Sequence, residues 1–187
     1  GGFHIFSGSP DKSESLGWPV EVMSRHGALA VLRSRRPGAS QARAIDWAGE
    51  RFLPWLVDPV IVCEHMHRYR FAMEFCAGKR VLDVPSGEGY GSYMLAQTAA
   101  SVVGVDIDEG SVRHAAARYQ AANLEYKVGS MTDVPVEGEG VFDIIVCLEG
   151  LEHIGEHDEL IGEAKRLLAP DGVLLISTPN KAVYKIR

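Results

Sequence analysis

A chain of 187 residues, 46% of them hydrophobic, is long enough to bury one ordinary core with an appendage, and 19 Lys and Arg against 25 Asp and Glu leave a formal charge of −6. That balance argues against a broad nucleic-acid footprint, no apolar run approaches the roughly 18 to 20 residues that span a bilayer, and the N-terminus lacks a basic region followed by a hydrophobic one. Cys63, Cys76 and Cys147 form no C-x-x-C pair, and three is an odd number, so a reducing, cytoplasmic setting is expected.

In chain order, residues 1–45 read as an extension that packs on the core or swaps onto a partner copy. Residues 20–32 hold a short helix or strand with Val22, Met23, Leu29 and Val31 partly buried, and Arg33, Arg35 and Arg36 form a solvated turn. The second part, residues 46–187, is patterned differently. Val62, Met66, Tyr69, Met73 and Cys76 recur at alternating spacings of three and four, which puts them on one face of a helix over residues 61–76 that Gly78 caps. Glu64, His65, His67, Arg68 and Arg70 then fall on its polar outer side.

Next come a buried strand over 80–84, a glycine-rich turn, and a helix over 90–98. A second strand over 101–106 ends, like the first, in an acid. The following helix starts at Asp108 or Glu109 and turns Val112, Ala115, Ala116 and Tyr119 inward. Strands over 124–128 and 142–147 follow, then a helix over 157–169 with Leu160, Ile161, Ala164, Leu167 and Leu168 on one face. Pro170, Asp171 and Gly172 end that helix, and a fifth strand covers 173–177. Near-continuous apolar strands alternating with helices call for an α/β fold, a mostly parallel, doubly wound sheet with helices on both faces.

In such sheets ligands bind outside the carboxyl ends of the strands, where strand order reverses. Asp83, Gly87, Asp106, Ser130, Leu148 and Glu149 all fall there. A dinucleotide fingerprint needs G-x-G-x-x-G after the first strand, yet counting from Gly87 and Gly89 the third position is Ser92, and Gly91 arrives one residue early. An acid four residues before Gly87 would repel a diphosphate and suits a cofactor with an ammonium group. Asp106 at the next strand tip can accept from both hydroxyls of a ribose. This pair of acids describes S-adenosylmethionine (SAM) better than a nicotinamide dinucleotide.

The segment from Val81, Leu82 and Asp83 to Gly91, with Gly104, Val105 and Asp106, the Phe142 to Val146 strand and the run from Leu168 to Asn180, resembles the class I SAM-dependent methyltransferases, with a Rossmann-like sheet. The resemblance covers about residues 50 to 181. It implies that Asp83 and the backbone of Ser86, Gly87, Glu88 and Gly89 hold the methionine end, that Asp106 holds the ribose with Ile107 beside the adenine, that Ser130 and Met131 lie at the adenine edge, and that Leu148 also lines the cofactor site. Pro85 stands where the family usually has a small residue, and Ser130 replaces a common Asp.

Candidates for the methyl-transfer step cluster at Glu149, Glu152 and His153. Three readings stay open: His153 is a general base; Glu149, Glu152 and His153 ligate a divalent ion that acidifies a hydroxyl; or Glu152 caps the next helix and His153 packs beneath it. The chain also resembles methyltransferases of surface-polysaccharide biosynthesis, through Gly49, Glu50, Arg51 and Phe52, through His67, Arg68 and Tyr69, and through the run Gly87 to Ser92 and Ser177 to Lys181. That resemblance implies a small-molecule or glycan hydroxyl as acceptor, with Arg68 and Tyr69 approaching the cofactor. Metal-dependent RNA 2′-O-methyltransferases share E-x-x-E-H, and a SAM-binding module without turnover is the third alternative. The family's sheet normally adds two more strands, so the expectation is a fragment whose fifth strand is an exposed edge, shielded by the extension or by a second copy in a homodimer.

Overall fold

The computed structural model describes residues 20–26, 29–34 and 59–179. They fall into two units, within Gly1–Ala44 and within Ile45–Arg187. In the first, β1 (Val20–His26) and β2 (Leu29–Ser34) pair antiparallel, with Val20 opposite Ser34 and His26 opposite Leu29. The segment open to either helix or strand is therefore strand, as the β-branched residues Val20, Val22 and Val31 favour. Arg35, Arg36 and residues 49–52 lie outside the described residues.

The second unit runs α1 (Pro59–Cys76), β3 (Arg80–Asp83), α2 (Tyr90–Ala96), β4 (Ser101–Asp106), α3 (Glu109–Arg118), β5 (Leu124–Val128), β6 (Phe142–Leu148), a 3-10 turn (Leu151–His153), α4 (His157–Leu167) and β7 (Leu168–Ser177). Its five strands are all parallel, in the order β5-β4-β3-β6-β7. From β3 the chain adds β4 and β5 on one side and then returns to add β6 and β7 on the other. Strand order thus reverses between β3 and β6, and the loops leaving their carboxyl ends bound the site.

Both faces of the sheet are covered. Leu82, Val105 and Ile145 pack with Ala164 and Leu167 of α4 in one buried cluster. Gly104, one residue before Val105 and so on the opposite face, lies against Ser92 of α2, where a Cβ would come within 2.7 Å of Oγ. Val81 and Leu82, which point to opposite faces, are both essentially fully buried.

Helix α1 buries Tyr69, Ala72 and Cys76 and leaves Met66 and Met73 half-buried, and Gly78 adopts φ +69° just past its end, as its cap position requires. Three details depart from the sequence reading. Ala116 is exposed and Ile161 is 37% exposed, because the inward stripes of α3 and α4 are narrower than expected. Helix α4 stops at Leu167, and β7 starts at Leu168 and contains Pro170, Asp171 and Gly172. The proline drives the residue before it into extended backbone, so the helix yields earlier than the apolar pattern suggests. The pairing then shifts register, with Phe142 opposite Leu168 but Ile144 opposite Val173. Among the described residues β7 is the outermost strand, with Val173 and Ile176 partly exposed, and no helix is long and apolar enough to cross a membrane.

Candidate functional site

Asp83 ends β3 with no exposed surface. Ser92 Oγ donates to its Oδ2 at 2.6 Å, and Tyr69 OH donates to Oδ1 at 3.2 Å. Burial pushes the carboxyl up to about 7, against the pull of these two hydrogen bonds. The carboxylate expected beside a ligand thus lies beneath the turn, both oxygens engaged by the protein's own hydroxyls. Tyr69 is placed the same way. It is buried, stands edge-on to Tyr90 at 5.3 Å, and fills the space where a Cβ on Gly91 would go. Gly91, the residue that spoils the dinucleotide spacing, makes room for Tyr69 where it reaches Asp83.

The two glycines of the turn do different work. Gly87 has φ +56° and nothing within 4 Å of where a Cβ would stand, so its side of the turn is open. Gly89 has φ +94°, and a Cβ there would lie 2.5 Å from Ala115 Cβ and 2.9 Å from Tyr126 OH, so it serves packing against α3 and β5. Of the two, only Gly87 leaves open space beside the turn. Ser86 N–H donates to Val105 O at 2.8 Å, Gly87 N–H to Asp106 Oδ2 at 2.8 Å and Gly89 N–H to Ser86 O at 3.1 Å. A phosphate cradle presents such groups to its anion. Here three are spent inside the protein.

The Glu88 side chain turns inward. It is 1% exposed, accepts from Tyr119 OH at 3.0 Å, and lies 3.1 Å from His114 Nε2; burial raises its pKa. Ser86 Oγ is buried without a hydrogen-bond partner.

At the tip of β4, Asp106 keeps 8% exposure and its Oδ1 accepts from Asp108 N–H at 2.9 Å, while Ile107 beside it is 75% exposed. Asp108 in turn caps α3 by accepting from Ser111 N–H at 2.7 Å. Beyond β5, Ser130 Oγ pairs with Thr132 Oγ1 at 2.8 Å, and Met131 packs against the core cluster under α4. Leu148 at the end of β6 is half-buried.

Glu149 follows at φ +54°, unusual for a residue with a side chain. Ser177 Oγ donates to its Oε1 at 2.8 Å, and Arg68 Nε lies 3.3 Å from the same oxygen. Glu152 is exposed and accepts from Thr178 Oγ1 at 3.1 Å, and His153 is exposed on the 3-10 turn. The three side chains do not converge, and the described residues contain no group of three His, Cys, Asp or Glu placed to hold a metal ion. Glu149 is engaged by Arg68 and Ser177, and Glu152 by Thr178. The reading of Glu152 as a helix cap is corrected, since it lies in the 3-10 turn and Glu156 is the residue ahead of α4.

The resemblance has Arg68 approaching the cofactor, whereas its neighbour His65 escaped the sequence reading. Arg68 has a buried Nη1 with no hydrogen-bond partner. His65, assigned to the outer polar side of α1, is half-buried with Nδ1 3.4 Å from Tyr90 OH, and burial, with Arg68 next, lowers its pKa to about 4. The signal was spacing: His65 stands three residues before Arg68 and four before Tyr69, on the same side of the helix.

These residues fit a phosphate-free nucleoside with a cationic tail: open space at Gly87, an orphaned hydroxyl on Ser86, two carboxylates behind the turn, and few donors left for an anion. The comparisons agree. A family model described as "Methyltransferase domain" matches residues 82–176. A "Probable S-adenosylmethionine-dependent methyltransferase" of Mycolicibacterium smegmatis is 33% identical over 149 residues, 79% of this chain and 57% of that protein. A "Ubiquinone biosynthesis O-methyltransferase" of Acinetobacter baylyi is 34% identical over 108 residues, covering 56% of this chain and 45% of that protein. Among solved structures, the YcgJ protein of Bacillus subtilis is 25% identical with a TM-score of 0.57, over 60% of this chain and 50% of that one. The PH0226 protein of Pyrococcus horikoshii is 26% identical with a TM-score of 0.56, over 64% and 58%. The chain spans about half the length of the curated relatives it matches.

Proposed function

Because the chain belongs to the methyltransferase-domain family, whose cofactor is S-adenosylmethionine, we propose that it moves the cofactor's methyl group to a hydroxyl of a small-molecule or glycan-type acceptor. The observation that carries this reading is the open side of Gly87 beside the orphaned Ser86 hydroxyl, with Asp106 at the neighbouring strand tip. Each Asp106 oxygen already accepts one N–H, and a carboxylate has about four acceptor sites, so room remains for two ribose hydroxyls. Exposed Ile107 offers an apolar face to the adenine, with Ser130, Met131 and Leu148 around its edge. Arg68 offers its unpartnered Nη1 to the methionine carboxylate. Asp83 and Tyr69 act from beneath, as a buried charge and its hydrogen-bonding support.

Bound, the sulfonium supplies an electrophilic methyl, and transfer is an in-line displacement that depends mostly on positioning. His153, exposed beyond β6, is the base for the acceptor hydroxyl, with Glu152 beside it held by Thr178. A hydroxyl acceptor is consistent with the ubiquinone O-methyltransferase relatives, and the glycan class rests on the motif pattern around residues 67–69, 87–92 and 177–181. We assign a cytoplasmic location and leave the β7 edge as the face a second copy would cover.

Titration calorimetry with SAM and with S-adenosylhomocysteine tests the first half, and transfer of labelled methyl to a panel of sugars, sugar nucleotides and phenols tests the second. Absence of binding sinks the whole reading. Binding with transfer to an amine but to no hydroxyl sinks the acceptor class.

A further inference from the structure

Glu88 lies in the middle of the ligand-facing turn, yet its carboxyl points away from any ligand and has no side-chain exposure. A carboxylate loses a great deal of hydration there, and an apolar residue of similar volume would fill the space without that cost. What it gains is one hydrogen bond, from the residue that ends a helix, and a histidine of that helix close by. Tyr119, the residue capping the end of α3, donates its hydroxyl to Oε1 at 3.0 Å, and His114 of α3 stands 3.1 Å from Oε2. The next residue is tied down too. Tyr126 of β5 donates its hydroxyl to Gly89 O at 2.8 Å, and Gly89 lies so close to Ala115 of α3 that no Cβ fits. On the other flank Gly87 is held by Asp106 of β4.

We propose that Glu88 is a positioning residue for the cofactor: through Tyr119 and His114 it clamps the glycine-rich turn onto α3, so that the open side of Gly87 and the Ser86 hydroxyl are held in binding geometry before the ligand arrives. The clamp rests on the reading of this turn as the SAM site. Its physical basis is pre-organisation. A turn with two glycines at positive φ has much backbone freedom to lose, and a turn already fixed loses less of it on binding. Asp83 and Ser92 cannot do this job for the turn's centre, since their hydrogen bond joins the end of β3 to α2.

The test is calorimetric binding of S-adenosylhomocysteine to the full chain and to Glu88→Ala, Glu88→Gln, Tyr119→Phe and the Glu88→Ala/Tyr119→Phe pair, with circular dichroism and melting to confirm folding. Glu88→Ala is expected to weaken binding tenfold or more. Glu88→Gln, which can still accept from Tyr119, should recover to within about threefold of the parent. Tyr119→Phe should weaken binding several-fold, and the double variant should be no weaker than Glu88→Ala alone, as expected for partners in one interaction. A folded Glu88→Ala that binds like the parent overturns the clamp, and so does a Gln variant as weak as the Ala variant. If Glu88→Ala does not fold, Tyr119→Phe decides, and unchanged binding there overturns the clamp as well. A parent chain that binds no S-adenosylhomocysteine refutes the site assignment itself, an outcome distinct from any of these.

Discussion

Replacing Asp83 by Asn probes the buried charge at the centre of the site. In the unfolded chain this carboxyl titrates near 3.8, and in the folded protein burial moves it up to about 7. Below the lower value both states are protonated and the group contributes nothing to the pH dependence. Between the two values the folded state holds a proton that the unfolded state has released, so stability falls as pH rises, and the loss is complete above about 7. Over about three pH units, at a little over 1 kcal/mol for each, this amounts to roughly 4 kcal/mol. Asn keeps the shape and carries no charge, and the hydroxyls of Ser92 and Tyr69 can both give and accept hydrogen bonds. Urea unfolding from pH 4.5 to 8 should therefore show the parent losing stability relative to Asp83→Asn, with the gap opening mainly below pH 7. A cationic ligand should also favour the ionised form, so SAM affinity of the parent should rise from pH 6 to 8 and that rise should vanish in the variant. Parallel stability profiles for the two proteins would refute the account of Asp83 as a charge kept in place against its solvation.

Other changes separate the parts of the site. Asp106→Asn leaves Oδ1 for one N–H but removes the charge, and a charge-assisted hydrogen bond of about 1.5–3 kcal/mol predicts at least tenfold weaker SAM binding by calorimetry. Gly89→Ala combines a left-handed backbone with a Cβ 2.5 Å from Ala115, so a loss of roughly 2 kcal/mol or more is expected in denaturant unfolding, whereas Gly87→Ala, with open space around it, should cost less stability and more ligand affinity. Arg68→Ala should weaken SAM binding several-fold, and Arg68→Lys should restore little, because the guanidinium serves Glu149 through Nε and a ligand through Nη1. Dialysis against a chelator should leave binding and methyl transfer unchanged, given that Glu149 is engaged by Arg68 and Ser177; loss of transfer restored by added divalent ion would contradict this.

The parallel order of strands and helices was legible because β4, β6 and the end of β7 are near-continuous apolar runs, and the bounds of β4 and β5 coincide with the composition changes at Ser101, Asp106, Leu124 and Val128. The helix ends were less so. Leu168 continues the apolar stripe of α4 in sequence, but the extended backbone demanded before Pro170 takes it into β7. At the site, sequence placed Asp83, Gly87 and Asp106 at the right strand ends and could not say which way the side chains face. An acid in a glycine turn looks the same whether it meets a ligand or a tyrosine, and only the packing of α1 and α3 separates Asp83 and Glu88, turned inward onto Tyr69 and Tyr119, from Asp106, still partly exposed.

The same ambiguity explains why the glycine spacing was informative for a reason other than the one it suggested. Gly91 excludes a dinucleotide pattern by its position, yet physically it is where Tyr69 reaches Asp83. Three of the turn's N–H groups are bonded to Val105, Asp106 and Ser86 and so are not presented to a phosphate. A turn that spends its donors on its own scaffold is rigid and anion-averse at once. Both properties suit a cationic cofactor, and they arise from one acid, Asp106, together with the backbone carbonyls of Val105 and Ser86, which take up amides that a phosphate loop keeps free.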